Sequence, residues 1–330
     1  MRHARTVLVF FVAVATFLYQ GFAGAASAAK EYPTKPIRFV IAQTPGSSID
    51  TMSRVVATKM GDLLGQQFVV DNRTGAGGTI GGGIVAHSEP DGYTLFAAAT
   101  ASQVIGPQLY KKVTHYDPFK DFTPISQFAV TQNVLVVNPK MPYSSVKELI
   151  AYAKANPGKV NWGNAGTGFQ SHLAGVLFTH TANIDALHVA YKGAGPLVAG
   201  IISGECHVTI GPAPAWMIHV RAGRARALAM GGEKRSPLWP ELPTIIESGL
   251  PGYVSDGWAG LMGPKGLPKP IVEKLRATLV QAVNDPATSA SLKKIGAEAR
   301  TGTPGDFAKL IAKDWKTFGE AIRVAKLKID

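Results

Sequence analysis

From Ile37 onward the chain alternates short β-branched runs with stretches whose apolar residues recur at helical spacing, and no other feature restricts the fold as much. Two parallel strands can be joined only by a long crossover, which is usually a helix. An alternation of this kind therefore predicts an α/β fold with a largely parallel sheet. Residues 37–41 read as a strand, and Thr44-Pro45-Gly46-Ser47-Ser48 as a turn. Ile49, Met52, Val55, Val56, Met60 and Leu63 then form the apolar stripe of a helix. The unit recurs with a strand at 68–70, a glycine-rich loop at 75–78, a helix to about His87 and a strand at 93–97, followed by a polar loop, Thr100-Ala101-Ser102.

Two further apolar segments, 122–130 and 133–137, follow without a helical pattern between them, which marks passage into a second domain. A chain of 330 residues also exceeds the size at which one core usually keeps growing. The second domain opens with a helix, because Ser145 and Glu148 have capping-box spacing ahead of Leu149, Tyr152 and Ala153. Pro157-Gly158 ends that helix. Strands at 159–163, near Leu187, at 207–210 and at 225–230 alternate with helices at 171–181, 196–202 and up to Arg221. Residues 233–250, rich in proline and charge, read as the return linker, and 258–262 as a strand crossing back. Helices then follow at 271–283, behind Pro270, and 307–327, behind Thr303 and Asp306, with the C-terminal segment expected to pack on the first domain. The division is 1–28 as a leader, 29–131 with 254–330 as domain 1, and 132–253 as domain 2.

The leader has three parts: Arg2 and Arg5, an apolar run from Thr6 to Tyr19, and small residues ending in Ala26-Ser27-Ala28. These are the parts of a cleavable secretory signal, with cleavage expected near Ala28 and export from the cytoplasm. A retained anchor needs roughly 20 apolar residues, and Gln20 and Gly21 interrupt this run. The single cysteine, Cys206, excludes a disulfide scaffold and reads as a buried structural thiol. The formal charge of +12 is spread without a basic run or an interleaved aromatic platform, so no nucleic-acid partner is expected.

Three strand-to-helix loops, at 44–48, 100–102 and 164–171, share small and hydroxyl-bearing residues. Open α/β sheets bind ligands at the carboxyl ends of their strands. A helix N-terminus there offers unpaired N–H groups and partial positive charge, which suit a carboxylate. Asp50 is placed to cap the helix or fix the loop. The same residue types also serve ordinary turns and caps, and both readings stand. Gly75, Gly77 and Gly81 resemble a nucleotide loop, but Asp71-Asn72-Arg73 intervenes and no acidic residue stands at the end of a following strand. Ser171 and His172 are adjacent on a helix and cannot serve as nucleophile and base to each other. No G-x-S-x-G occurs, and the eight histidines lack metal spacing. The expectation is a protein that is not an enzyme and uses no cofactor or metal.

Several segments together resemble the Bug-type periplasmic solute-binding proteins of tripartite tricarboxylate transporter systems. They include Tyr32-Pro33-Thr34-Lys35-Pro36-Ile37, Asp71-Asn72-Arg73-Thr74-Gly75-Ala76-Gly77-Gly78, Pro90-Asp91-Gly92-Tyr93-Thr94-Leu95 and Tyr116-Asp117-Pro118-Phe119-Lys120-Asp121-Phe122. Ser171-His172-Leu173-Ala174-Gly175, Tyr191-Lys192-Gly193, Leu242-Pro243-Thr244 and Glu247-Ser248-Gly249-Leu250-Pro251-Gly252-Tyr253 extend the likeness along the chain. The resemblance implies a type II-like periplasmic binding protein: two α/β domains, a hinge, and a carboxylate held in the cleft between them. Carried onto this sequence, the ligand-binding residues are Gln43, Thr44, Pro45, Gly46, Ser47, Ser48 and Asp50 in the first loop, and Thr100, Ala101 and Ser102 in a further loop. In the second domain they are Asn164, Ala165, Thr167, Gly168, Phe169 and Ser171. The loop at Gly75 is structural in this reading.

The departures bear on the ligand. Thr44, Ser47 and Ser48 add polar groups where the family usually carries prolines and glycines, Phe169 replaces a small residue, and Gly211-Pro212 replaces Asp-Asn. Without that acid an ammonium-bearing ligand is disfavoured, and Phe169 either contacts a bulky body or fills the cleft wall. The expected partners are a small carboxylate, with aromatic or dicarboxylic bodies among the options, and integral-membrane permease subunits that receive it from a monomeric receptor. A sensor docking on a membrane kinase and a periplasmic hydrolase are the alternative readings.

Overall fold

The computed structural model describes residues 32–327, and the expected leader with its cleavage site lies outside the described residues. The first half of the chain runs β1 (Ile37–Ile41), α1 (Ser48–Leu64), β2 (Phe68–Asn72), α2 (Thr79–Ala86), β3 (Thr94–Ala99), α3 (Gly106–Leu109) and β4 (Phe122–Thr131). It continues through β5 (Asn133–Val137), α4 (Val146–Ala155), β6 (Asn161–Asn164), α5 (Gln170–Thr181), β7 (Leu187–Ala190), α6 (Ala194–Ser203), β8 (Val208–Pro212), α7 (Ala213–Arg221) and β9 (Arg226–Met230). After a long irregular segment come β10 (Gly257–Pro264), α8 (Lys269–Asn284), α9 (Pro286–Lys294), β11 (Glu298–Ala299) and α10 (Pro304–Val324).

These strands form two sheets, ordered β11-β4-β10-β3-β1-β2 and β7-β6-β8-β5-β9. β1 is parallel to β2 and β3, whereas β10 runs antiparallel to β3 and β4. In the second sheet β6 is parallel to β7 and β8, and β5 is antiparallel to β8 and β9. Only Gln132 separates β4 from β5, so the end of one sheet passes directly into the start of the other. The carboxyl ends of β1, β3 and β4 therefore lie at the edge of the first sheet from which the crossover leaves. The carboxyl ends of β6, β8 and β9 lie where it arrives. This arrangement points the strand-to-helix loops of the two sheets toward each other.

Helix starts follow their capping chemistry. Thr303 and Asp306 form the expected reciprocal box, with Thr303 Oγ1 accepting from Asp306 N at 3.1 Å and the Asp306 carboxylate from Thr303 N at 3.2 Å. Ser145 accepts from Glu148 N, but the return arm lands one residue earlier, with Ser144 N and Oγ donating to Glu148 at 2.6 and 2.8 Å. The expected loop at 100–102 is instead the start of a helical turn, Thr100–Ile105, in which Thr100 and Ser102 are buried. Three small or hydroxyl residues do not reveal on their own that the next three are buried. α9 and β11 are also absent from the sequence reading.

α10 packs on the first sheet as expected and reaches further. Its buried face, Phe307, Ile311, Phe318 and Ala321, joins one apolar cluster holding Val40 and Phe96 of the first sheet and Leu135, Trp162 and Leu173 from the second sheet and its helix. α10 thus packs against both β4 and α5, not against the first sheet alone. A second cluster lies between the first sheet and α1 and α8, and a third gathers Trp216, Met217 and Trp239 on the second sheet. Among the described residues no helix is long and apolar enough to cross a membrane.

The α10 seat depends on a missing side chain. A Cβ on Gly260 of β10 would fall 2.2 Å from the buried Phe307 ring. Gly260→Ala is expected to lower stability by about 1–3 kcal/mol through overpacking. An unchanged midpoint in urea denaturation would show that α10 is not fixed there.

Candidate functional site

The first loop is held from within. Ser47 caps α1 by accepting from Asp50 N at 3.3 Å, and Gly46, at φ +80°, turns the chain in a conformation that a side chain rarely adopts. Asp50 is 3% exposed, and its carboxylate accepts from Gly46 N at 2.9 Å, from Arg54 Nε at 3.0 Å and from Asn72 Nδ2 at 3.0 Å. Burial works to raise its pKa, but these hydrogen bonds and the Arg54 charge outweigh it and hold the group below the usual carboxylate range. Asp50 thus fixes the loop and offers no free acceptor. Asn72 also donates to the Gln43 carbonyl at 2.9 Å. Thr44, Pro45, Gly46 and Ser48 are exposed, and Gln43 and Ser47 partly so.

The loop before α5 is built in the same way. Ala165 N donates to Ser171 Oγ at 3.0 Å, Gly166 N to Asn164 Oδ1 at 3.0 Å and Gly168 N to His172 Nδ1 at 3.2 Å. Burial lowers the pKa of His172, so the ring accepts as a neutral imidazole. Asn164 is 1% exposed, and its Nδ2 has no partner. Phe169 stands at the N-cap with no side-chain bond to the helix, Thr167 is exposed, and the Phe169 ring lies over Gly166 while remaining 60% exposed.

Helix geometry leaves the amides of the first turn without carbonyl partners four residues back. Ser48 and Ile49 hold these positions in α1, and Gln170 and Ser171 in α5. The 43–50 and 164–171 segments contain no lysine, arginine or histidine. The partial positive charge of these two segments therefore comes from the helix starts and not from a basic residue within them. At the third segment, Thr100 Oγ1 accepts from Trp258 N at 3.2 Å and Ser102 Oγ from Ala99 N at 3.2 Å, leaving Ala101 partly exposed.

All three segments converge on the paired ends of β4 and β10, where Thr131 stands opposite Gly257. Thr131 Oγ1 contacts Met52 Sδ of α1 at 3.5 Å, and Gln170 Nε2 of α5 donates to Ser255 O at 3.4 Å beside Gly257. Trp258, the next residue, reaches Thr100. Sequence reasoning missed Asn72, Gln170 and Trp258. Asn72 was within reach, because it pairs with Ile41 at the end of a parallel neighbour. The glycine-rich segment packs inward: a Cβ on Gly78 would meet Ser102, and one on Gly81 would meet Ala42. At Gly211 a Cβ would stand 3.1 Å from Trp216 Nε1, so the indole occupies the space beside it.

Residues 52–327 match the tripartite tricarboxylate transporter family receptor model. The chain belongs to this receptor family. The receptor is 35% identical over 331 residues to protein BugT of Bordetella pertussis, covering 99% of this chain and 100% of that protein. It is similar to R. palustris Rpa4515, solved with adipate, at 32% identity and a TM-score of 0.76, covering 90% of this chain and 99% of the other. It is also similar to MatC of Rhodopseudomonas palustris, solved with bound malate, at 28% identity and a TM-score of 0.72, covering 88% of this chain and 100% of the other. The two-sheet α/β architecture is that of the family's periplasmic binding proteins.

The internal bracing of the first loop is testable. Asp50→Ala leaves the Gly46 amide without its acceptor, takes from Asn72 Nδ2 one of its two acceptors, and leaves Arg54 bonded only to Asn72 Oδ1. A loss of about 2–4 kcal/mol is expected in chemical denaturation. A change under about 0.5 kcal/mol, the range of ordinary surface substitutions, would show that Asp50 does not hold the loop.

Proposed function

We propose that this receptor captures a small dicarboxylate between the N-termini of α1 and α5 and delivers it to membrane permease subunits. The observation carrying the proposal is the pair of braced, cation-free helix starts that face each other from the two sheets. Each offers two open amides in its first turn, which suits one carboxylate at either end of a short ligand. The adipate and malate held by the similar structures are both dicarboxylates, which supports the same chemical class here.

In this reading 29–131 with 254–330 and 132–253 are two domains hinged at Gln132 and at 254–256. The site consists of the loop at 43–50, Ala101 with its buried neighbours Thr100 and Ser102, and the loop at 164–171. Ligand binding favours the closed form because only that form lets both helix starts reach the same molecule. The exposed Phe169 ring would then cover the apolar body between the carboxylates. The leader read at 1–28 supports export, and the receptor would act in the periplasm. No step of capture needs a nucleophile, metal or cofactor.

Calorimetric titration with adipate, malate, monocarboxylates and aromatic carboxylates tests the proposal. A dicarboxylate is expected to bind near micromolar, about −8 kcal/mol, with Phe169→Ala weakening it while the fold persists. Absence of binding by every carboxylate to the folded receptor would refute the assignment.

A further inference from the structure

Among the described residues seven large apolar side chains are exposed, and Phe169 is the one that stands in the three loops. On the second sheet Leu187 opens β7 at the opposite edge, and Ile218 lies within α7. Local structure gains nothing from the Phe169 ring. It holds the N-cap place of α5, where Ser, Thr, Asp or Asn would bond the helix start, and it makes no such bond. Its backbone is nevertheless fixed on both sides. Phe169 N donates to Gly166 O at 3.1 Å, and Phe169 O accepts from His172 N at 3.0 Å and Leu173 N at 3.1 Å. The ring rests on Gly166, where a Cβ would stand 2.9 Å from its Cδ2, and the residue keeps 60% of its surface open.

The polar groups beside the ring are already used. Asn164 Oδ1, Ser171 Oγ and His172 Nδ1 each accept from a backbone amide of the loop, and all three residues are buried. Thr167 is the exposed hydroxyl of this loop, and Thr44 and Ser48 are those of the first. Asp50, the acid of the first loop, is taken by Gly46, Arg54 and Asn72. β8, the neighbour of β6, ends in Gly211-Pro212 with the Trp216 indole beside Gly211. A hydroxyl or ammonium on the ligand body beside Phe169 thus meets an aromatic face in place of a hydrogen-bond partner, which is costly once water is excluded. Methylenes or an aromatic ring gain contact there and lose water. Resting on the carboxylate capture proposed above, we infer that Phe169 selects the body of the ligand. The receptor takes dicarboxylates whose chain or ring bears no hydroxyl or amino group, and discriminates against hydroxylated ones of the same length.

Adipate and galactarate have the same six-carbon span and differ by the hydroxyls on the body, so comparing them removes the distance between the helix starts from the result. Succinate and malate make the same comparison at four carbons. Calorimetric titration of the whole receptor is expected to show adipate roughly tenfold or more tighter than galactarate, and succinate tighter than malate by a smaller factor. Phe169→Ala should weaken adipate about tenfold while changing galactarate by less than about threefold. Phe169→Leu, which keeps apolar surface at the same place, should retain most of the preference. A hydroxylated acid that binds as tightly as its unsubstituted counterpart, in any pair that binds, would overturn the inference and leave carboxylate capture in place. So would a Phe169→Ala receptor that keeps the wild-type ratio. Binding of no dicarboxylate to the folded receptor would refute the capture reading itself, and the selection by Phe169 with it.

Discussion

The antiparallel pairing of β4 with β10 is the constraint on which the rest of the receptor depends. Thr131 and Gly257 stand opposite each other at its end, and both connections to the second sheet leave from there. Because the two exits are adjacent, the sheets are joined at a narrow place and not along a face. Because every parallel strand of the first sheet ends at the same edge, the helix starts that follow β1 and β3 collect beside those exits. In the second sheet the carboxyl ends of β6, β8 and β9 likewise lie at the end where the crossover arrives.

This geometry accounts for the use of polar residues around the gap. Asp50, Asn164 and Ser171 look like ligand-contacting groups in the sequence, yet each makes hydrogen bonds within its own loop, as His172 does. They hold backbone amides in place, and under the proposed capture such bracing would reduce the ordering cost of binding. A neutral His172 accepts a hydrogen bond from the Gly168 amide here. α10 complements the pairing from behind, inserting Phe307 over Gly260 and reaching α5 with its far end.

Much of this was legible in the sequence because periodicity reports directly on which residues face the core. The strand-helix alternation, the one-residue passage from β4 to β5 and the capping pair Thr303 and Asp306 all follow from local patterns. The helical turn at 100–105 was not legible, since small residues after a strand read as a loop unless burial is known. The reach of α10 to α5 was hidden for a related reason: an apolar helix face does not say how many partners it covers.

The central claim is that the two sheets close on a ligand about the β4–β10 exits. Small-angle X-ray scattering of the receptor, alone and saturated with its tightest-binding carboxylate, measures this directly. The account predicts a smaller radius of gyration in the bound sample. Saturated binding with unchanged scattering curves would contradict it, because the helix starts would then hold the ligand without moving toward each other.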